Sequence, residues 1–205
     1  MKKLLLILLC LPLLFSCGDG NTYVPDDNFE DYLENNGMGN GVPNDDYVFT
    51  ININTVTALT PAGLSISDLT GIEDFTALIG LNVKFNQLTS LDVSKNSYLT
   101  DFDCGHNQLT SLDVSQNTAL TYLNCGNNLL TSLDVSNNTA LTTLHCYPNQ
   151  LTSLDVSQNT ALEYLFCDNN QLTSLDISNN TALEYLSCYN NKFDCDALKK
   201  KIGLD

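Results

Sequence analysis

The chain has 205 residues, with 8 basic against 24 acidic side chains and a formal net charge of −16. All the basic residues are Lys, which argues against nucleic acid as a partner, because its binders use Arg and Lys to neutralise phosphates. Anionic lipid would also repel so acidic a chain, so any membrane attachment must be covalent or hydrophobic. Apolar residue types make up 43% of the chain, enough for a hydrophobic core, which excludes wholesale disorder.

Residues 1–16 are predicted to be a signal peptide. Lys2 and Lys3 precede an apolar run from Leu4 to Phe15, which is shorter than the roughly 20 residues of a membrane-spanning helix. The four residues that end at Cys17, Leu-Phe-Ser-Cys, resemble the bacterial lipobox. The resemblance implies cleavage before Cys17 and acylation of that residue. The alternative is an ordinary secretory signal followed by a chance Cys.

Lipidation at Cys17 would provide a stable membrane anchor, because each buried methylene of an acyl chain contributes about 0.8 kcal/mol. By the same resemblance, an Asp directly after the lipidated Cys would retain the protein at the inner membrane, but Gly18 stands there. The sequence therefore predicts an outer-membrane lipoprotein of a bacterium, with periplasmic and cell-surface display as open alternatives. Residues 17–24 are the predicted lipidated Cys and short tether.

From residue 78 the chain repeats with a period of 21 residues, and one unit runs from Leu120 to Ala140. Leu64 occupies the equivalent position 22 residues before the first Asn of the series, so the degenerate first coil has one extra residue. The recurring Asn residues, called the Asn ladder below, are Asn86, Asn107, Asn128, Asn149, Asn170 and Asn191. A fixed period of this length predicts a solenoid, in which stacked units bury a continuous core that no single unit could form.

Within each unit the half-pattern L-x-x-L-x-C-x-x-N-x-L matches the leucine-rich repeat. Alternation places Leu123 and Cys125 inward on a short strand, with Tyr122, Asn124 and Gly126 outward. The predicted fold is a β-rich leucine-rich-repeat solenoid, a right-handed superhelix of α/β type. Short parallel strands form its concave face, and turns or short 3-10 or extended segments form its convex face. Each Asn amide of the ladder is expected to satisfy backbone groups where a coil turns.

Small helical caps are predicted at both ends of the solenoid. Residues 25–55 form the N-terminal cap, whose helix begins at Pro25-Asp26-Asp27 and ends by Gly37. The solenoid covers residues 56–193. Residues 194–205 form the C-terminal cap, in which Asp194 is placed to cap a helix from Ala197 to Ile202.

The mature chain as a whole resembles the internalin-like leucine-rich-repeat proteins of Gram-negative bacteria. The residues that carry the resemblance are 24–30 (Val-Pro-Asp-Asp-Asn-Phe-Glu), 66–78, and the repeated Asn-x-Leu-Thr-Ser-Leu-Asp-Val-Ser. The resemblance implies a curved solenoid that binds proteins or glycans and performs no chemistry. Residues 39–46 lack the alternating ligands and terminal Glu of an EF-hand loop, so a calcium site in the cap is not expected.

No catalytic, cofactor-binding or metal-binding constellation is predicted, and the chain is not expected to be an enzyme. His106 and His145 lie in different coils without a Cys or Ser partner. Cys195 lies outside the ladder of Cys residues, so a disulfide with Cys188 and a free thiol both remain open. One Cys per coil is predicted to fill the core, because zinc sites need local pairs such as C-x-x-C. These residues are Cys104, Cys125, Cys146, Cys167 and Cys188.

One Asp per coil recurs on the outward side of the second half of the repeat, and stacked carboxylates repel one another. Either each carboxylate accepts hydrogen bonds from nearby Ser, Thr or turn N–H groups, which we favour, or divalent cations bridge successive coils. The Asp ladder consists of Asp92, Asp113, Asp134, Asp155 and Asp176.

The outward positions beside the strands vary, and aromatic residues gather there on the C-terminal coils. Such side chains provide rigid contact area for a protein or a sugar ring. The predicted ligand-binding residues are Tyr122, His145, Tyr147, Tyr164, Phe166, Tyr185 and Tyr189. We therefore predict a recognition or adhesion module for a protein or glycan. The alternative is a structural envelope lipoprotein without a ligand, in which these rings only stabilise cross-strand pairs.

Overall fold

The computed structural model describes residues 20–203, so the predicted signal peptide and Cys17 lie outside the described residues. This part of the chain contains two sheets, an antiparallel pair near the N-terminus and a seven-stranded parallel sheet. The strands are β1 (Asn21–Tyr23), β2 (Tyr47–Phe49), β3 (Ala58–Leu59), β4 (Gly80–Asn82), β5 (Asp101–Asp103), β6 (Tyr122–Asn124), β7 (Thr143–His145), β8 (Tyr164–Phe166) and β9 (Tyr185–Ser187). The α-helices are α1 (Asp27–Asn35), α2 (Thr50–Ile53) and α3 (Cys195–Ile202).

The parallel sheet contains strands β3 to β9 in chain order, one strand per coil. From β4 onward each strand pairs with residues 21 positions further along, as Tyr122 does with Thr143. Ala58 pairs with Gly80, 22 positions away, which places the extra residue in the first coil as predicted. The predicted solenoid of 21-residue coils is therefore confirmed.

The central residue of each three-residue strand is buried, as Leu123 and Leu144 are, and its two neighbours face outward. Leu, Val and Cys side chains from the rest of each coil complete one continuous core, with Cys125 and Val135 fully buried. The strands from β4 to β9 are joined by turns, and residues 83–184 contain no helix. The single 3-10 helix among residues 20–203 covers Ile72–Asp74.

The Asn ladder satisfies backbone groups inside the turns, as predicted. Asn128 is buried, its Oδ1 accepts a hydrogen bond from the backbone N–H of Leu109 at 3.0 Å, and its Nδ2 donates to the carbonyls of Cys104 and Cys125 at 3.1 Å. A second row of buried Asn residues lies on the other side of the coil and donates to carbonyl groups of the preceding coil. This row contains Asn96, Asn117, Asn138, Asn159 and Asn180.

The N-terminal cap begins earlier than the boundary at residue 25 predicted for it. Strand β1 pairs antiparallel with β2, and Val24 is fully buried, so residues 21–24 belong to the cap and not to a tether. The helix predicted at Pro25-Asp26-Asp27 is present as α1. Asp26 caps it by accepting from the N–H groups of Asn28 and Phe29, and its second carboxylate oxygen accepts from Ser67 in the first coil.

The C-terminal cap consists of helix α3, which starts at Cys195, two residues before the predicted start. Asp194 caps it as predicted, because its carboxylate accepts from the N–H of Ala197 at 3.0 Å. Cys188 and Cys195 form a disulfide, with their Cα atoms 5.6 Å apart, which resolves the alternative that the sequence left open. Across residues 20–203, no helix combines the length and the apolar character needed to cross a membrane.

Candidate functional site

The candidate site is the outward side of the parallel sheet, called the strand face below. It consists of the first and third residues of strands β4 to β9, Ala58 and Thr60 at the short strand β3, and a third column of residues that lies two positions after the end of each strand from β5 onward, namely Gly105, Gly126, Tyr147, Asp168 and Tyr189. The register aligns these residues in columns that run across the coils. In one column Asp101, Tyr122, Thr143, Tyr164 and Tyr185 pair in succession, and in the next Asp103, Asn124, His145, Phe166 and Ser187 do so. The columns predicted from the repeat are therefore present.

Five of the seven predicted binding residues form one continuous group of rings. Adjacent ring centroids lie between 4.2 and 6.0 Å apart. The rings of His145 and Phe166 are stacked at 4.2 Å with an interplanar angle of 10°. We call the group the aromatic platform; it contains Tyr122, His145, Tyr147, Phe166 and Tyr185.

His145 lies at the centre of the platform and is partly buried. Burial lowers the pKa of its imidazole, while the negative charge of Asp103 opposes this shift. The side chain is therefore predominantly neutral at pH 7. Burial also raises the pKa of Tyr122, and Asp103 raises it further. Neither His145 nor Tyr122 is therefore ionised at neutral pH.

The other two predicted residues lie beside the platform. Tyr164 is exposed, and its hydroxyl donates to Oε2 of Glu184 at 3.0 Å, which is the main reason that the pKa of Tyr164 is raised. Tyr189 lies against helix α3, where Nζ of Lys199 is 3.2 Å from its hydroxyl and 5.3 Å from its ring centroid. Tyr189 thus joins the strand face to the C-terminal cap.

Gly126 in the third column is required for a steric reason that the sequence did not reveal. A Cβ atom added to Gly126 would collide with the backbone carbonyl of Tyr147 in the next coil. The peptide bond between Tyr147 and Pro148 is cis. Gly126 therefore allows the backbone of the platform coil to approach closely.

A recess of about 240 Å³ lies on the strand face at the N-terminal coils, directly beside the platform. It exists because the first outward column begins with the small residues Ala58 and Gly80, and its first large residue is Tyr122. We call it the acidic recess, since two carboxylates line it. Its lining residues are Ala58, Thr60, Gly80, Leu81, Asn82, Asp101, Phe102, Asp103 and Tyr122.

Sequence reasoning missed this recess, although its signature was the change from small to large residues along each column. Tyr122 belongs to both features, because it lines the recess and its ring contacts that of His145 at 5.6 Å. Lys84 partly balances the charge, with Nζ 3.7 Å from Oδ2 of Asp103. The strand face therefore combines an uncharged aromatic surface with a neighbouring group of hydrogen-bond acceptors.

The Asp ladder is stabilised by hydrogen bonds, as in the interpretation favoured from sequence. Each carboxylate accepts from the backbone N–H of the Ser two residues later, at 2.8–2.9 Å. Hydrogen bonds from the side chain and backbone of Ser115 hold the pKa of Asp113 below its ordinary value, although the charges of Asp92 and Asp134 oppose the shift. These bonds offset the repulsion between neighbouring coils.

The four unpaired Cys residues of the inward ladder are inert. Cys104, Cys125, Cys146 and Cys167 are free thiols and fully buried. Burial raises the pKa of Cys125 to about 12, so its thiol stays protonated and is a poor nucleophile or metal ligand. Among residues 20–203 there is no group of three or more His, Cys, Asp or Glu side chains arranged to hold a metal ion.

The family model for leucine-rich repeats in two copies matches residues 160–200. With the regular parallel coils, this match decides the fold. The chain is a leucine-rich-repeat solenoid. No curated protein matches the sequence.

Solved leucine-rich-repeat structures resemble the chain. An internalin from Listeria monocytogenes matches with a TM-score of 0.78 at 24% identity, over 89% of this chain and 55% of that one. A leucine-rich-repeat protein from Leptospira interrogans matches with a TM-score of 0.62 at 22% identity, over 75% and 48%. The leucine-rich-repeat domain of APL1B matches with a TM-score of 0.61 at 25% identity, over 69% and 44%. The chain spans about half the length of these proteins.

Leucine-rich-repeat domains are typically protein-binding modules, and the fold is generally non-catalytic.

Proposed function

We propose that the chain is a non-catalytic recognition module of the bacterial envelope, which binds a protein or glycan through the strand face. We further propose that a lipid on Cys17 anchors it to the outer membrane, with the binding domain displayed at the cell surface. The observation that carries the binding proposal is the aromatic platform, since five rings from four consecutive coils form one surface.

Aromatic rings on a solvent-facing sheet suit a binding role for two reasons. A ring has few rotatable bonds, so little side-chain entropy is lost when it contacts a ligand. Ring stacking within the platform also holds each side chain in place before binding, which lowers the cost of association. Phe166 has three ring neighbours, His145, Tyr147 and Tyr185, with centroids 4.2 to 6.0 Å away, and is therefore among the best-supported of these anchors.

The acidic recess favours a ligand that donates hydrogen bonds. Asp101, Asp103 and Asn82 line it together with Tyr122. A sugar ring stacked on the platform would direct hydroxyl groups to these acceptors. A peptide would place a Lys or Arg side chain there, because such cations pair with carboxylates and also bind over aromatic faces.

Binding is tested with the domain from residue 18 to residue 205, presented to a glycan array and to purified envelope proteins. In Phe166→Ala with Tyr185→Ala, we expect affinity for the identified ligand to fall at least about thirtyfold, because a central aromatic anchor contributes about 2 kcal/mol or more. The matched control is Tyr98→Ala, since Tyr98 is 66% exposed but lies in a turn outside the parallel sheet.

Equal affinity of the double variant and the parent would contradict the platform as the binding surface. If affinity instead falls in Asp101→Asn with Asp103→Asn and not in the platform variant, the binding surface is the acidic recess alone. Absence of any ligand in both formats would favour the structural envelope lipoprotein.

The anchor is tested by Cys17→Ser. We expect the variant to remain unacylated and to leave the membrane fraction. Mass spectrometry of the parent should detect the acyl chains, and cell fractionation should place it in the outer membrane. Unacylated parent protein in the soluble periplasm would contradict the anchor.

A further inference from the structure

The N-terminal cap exposes an apolar surface that the proposed ligand site does not use. Tyr23 of β1 and Tyr47 and Phe49 of β2 face outward, and their rings are exposed together with the side chain of Ile51. Ile51 is 76% exposed and Phe49 is 44% exposed. We call these four residues the cap patch.

The cap patch cannot be accounted for by packing of the cap itself. The inward residues of the two strands, Thr22 and Val48, are buried, so the strands already contribute one face to the core. Tyr23 and Tyr47 are cross-strand partners with ring centroids 5.6 Å apart. Their contact fixes the rings side by side on the opposite face, where both remain exposed.

The chain reaches the cap at the apolar end of this patch. The carbonyl of Gly20 accepts a hydrogen bond from the N–H of Thr50 at 2.8 Å, so Gly20 lies between Phe49 and Ile51 along the partner segment. Gly20 follows Cys17 by three residues. Even a fully extended segment of that length spans only about 11 Å. A lipid on Cys17 would therefore hold the apolar end of the patch at the bilayer surface.

Charged residues flank the patch in the sequence, with Asp19 directly before Gly20 and Asp45 and Asp46 before β2. No charged residue occurs in β1, β2 or α2. The acidic residues Asp45 and Asp46 precede β2 and lie at the end of the sheet remote from Gly20, where the N–H of Val24 donates to the carbonyl of Asp46. The patch thus runs from aliphatic and Phe side chains, through a pair of Tyr, to carboxylates. Aromatic residues concentrate at membrane–water interfaces, and apolar side chains insert beyond them.

We propose that the cap patch docks on the lipid surface around the anchor, with Phe49 and Ile51 among the headgroups and Tyr23 and Tyr47 at their aqueous edge. The inference rests on the proposed lipidation of Cys17. A patch of four side chains binds weakly by itself, but the short tether raises its effective concentration at the membrane to the millimolar range. Docking converts a single attachment into two and restricts the orientation of the solenoid.

The sequence offers a direct test because it contains no Trp. Three single-Trp variants, Phe49→Trp, Tyr47→Trp and Tyr185→Trp, are purified as the lipidated full chain and reconstituted in phosphatidylcholine vesicles with brominated acyl chains. We expect a blue shift and strong loss of emission for Phe49→Trp and a smaller loss for Tyr47→Trp. Tyr185→Trp, on the strand face, is the control and should keep its emission.

Mass spectrometry of each preparation separates this proposal from the proposed anchor. If the chain is acylated and all three Trp residues keep their emission in brominated vesicles, the anchor stands and the docking proposal is wrong. If the chain carries no acyl group, the anchor fails and docking through it fails as well. Protection of Phe49→Trp from acrylamide in water, without quenching by brominated lipid, would show that a protein surface covers the patch and would also overturn the proposal.

A second variant tests the contribution of the patch without a change of reporter. Adding Phe49→Ser and Ile51→Ser to Tyr47→Trp should abolish the lipid quenching of the Trp, whereas adding Tyr98→Ser should leave it unchanged. Replacing part of the phosphatidylcholine with anionic phosphatidylglycerol should reduce quenching at position 47, because Asp45 and Asp46 are repelled by anionic headgroups. Quenching that survives the double Ser change would contradict the assignment of the patch.

Discussion

The inward and outward sides of the same strands differ sharply in how far they vary. In the parallel sheet, the inward position is Leu in every strand from β3 to β9 except β5, which carries Phe102. The first outward position changes from Gly80 and Asp101 at one end to Tyr164 and Tyr185 at the other. Main-chain hydrogen bonds hold neighbouring coils together regardless of these outward side chains. A solenoid can therefore vary one face for recognition while the other specifies the fold.

Within the outward side, the N-terminal and C-terminal coils differ in a second way. Small and acidic residues leave the recess at β3 to β5, whereas large rings fill the same columns at β6 to β9. The core beneath both regions is the same. The difference shows that ligand chemistry on this fold is set by residue size and charge along a column, with no change in backbone architecture.

Among changes that test the difference between inward and outward residues, we expect the largest loss of stability from a change in the Asn ladder. In Asn128→Ala, the N–H of Leu109 loses its acceptor, and a buried polar cavity forms between coils. The carbonyl of Cys104 keeps a donor from Asn107 at 3.0 Å, which limits the loss. We expect the free energy of unfolding to fall by about 2–4 kcal/mol, as measured by urea denaturation.

Asn137→Ala is the matched control for that change, because Asn137 is exposed and donates only a surface hydrogen bond to Ser115. Its effect should stay within about 0.5 kcal/mol. If the free energy of unfolding fell equally in the two variants, the buried Asn ladder would contribute no more to the fold than an exposed Asn.

A smaller effect is expected for the inward Cys residues. Cys125→Ala removes a fully buried sulfur atom and should lower the free energy of unfolding by about 1–2 kcal/mol through the cavity left behind. Ser132→Ala changes an exposed residue in the second half of the same repeat unit and should hardly alter the free energy of unfolding. A metal chelator should not alter the melting temperature of the parent. A large fall on chelation would show that cations stabilise the coils, against the hydrogen-bond interpretation of the Asp ladder.

The repeat made the core predictable, whereas contacts between non-repeated segments were not. Leu123, Cys125 and Asn128 follow directly from a fixed period, because each position has the same neighbours one coil away. Strand β1 was missed because three residues carry no usable alternation, and its partner begins more than twenty residues later. The contact of Tyr189 with the C-terminal cap could not be predicted, because nothing in the sequence places Lys199 over its ring.

The candidate site was predictable to a similar degree and for the same reason. Columns of outward residues follow from the register, so the platform could be assembled from sequence. Its detailed composition depended on side-chain conformation, which separates Tyr164 from the stacked rings and directs it to Glu184. The recess depends on missing volume at Ala58 and Gly80, and such small side chains carry no chemical signature in the sequence.

The smallest expected effect concerns the Asp ladder, which is outward but regular. Hydrogen bonds from Ser115 and Ser136 hold the pKa values of Asp113 and Asp134 below 3.8, the ordinary value. A carboxylate with a lowered pKa in the folded state contributes stability above its unfolded pKa, and this contribution is lost as the pH falls through the lower folded value. The parent should therefore lose stability as the pH falls below about 4.

Asp113→Asn with Asp134→Asn tests this, because Asn still accepts a hydrogen bond from the Ser N–H but does not titrate. We expect similar urea stability of variant and parent at neutral pH, and a smaller acid-induced loss in the variant. Asp31→Asn with Asp196→Asn removes the same charge outside the ladder and should follow the parent more closely. If both double variants respond to acid alike, only the net charge matters. Calcium could also raise the melting temperature of the parent but not that of the ladder variant. That result would show that the outward carboxylates bind cations. The Asp ladder would then belong with the recognition surface and not with the scaffold.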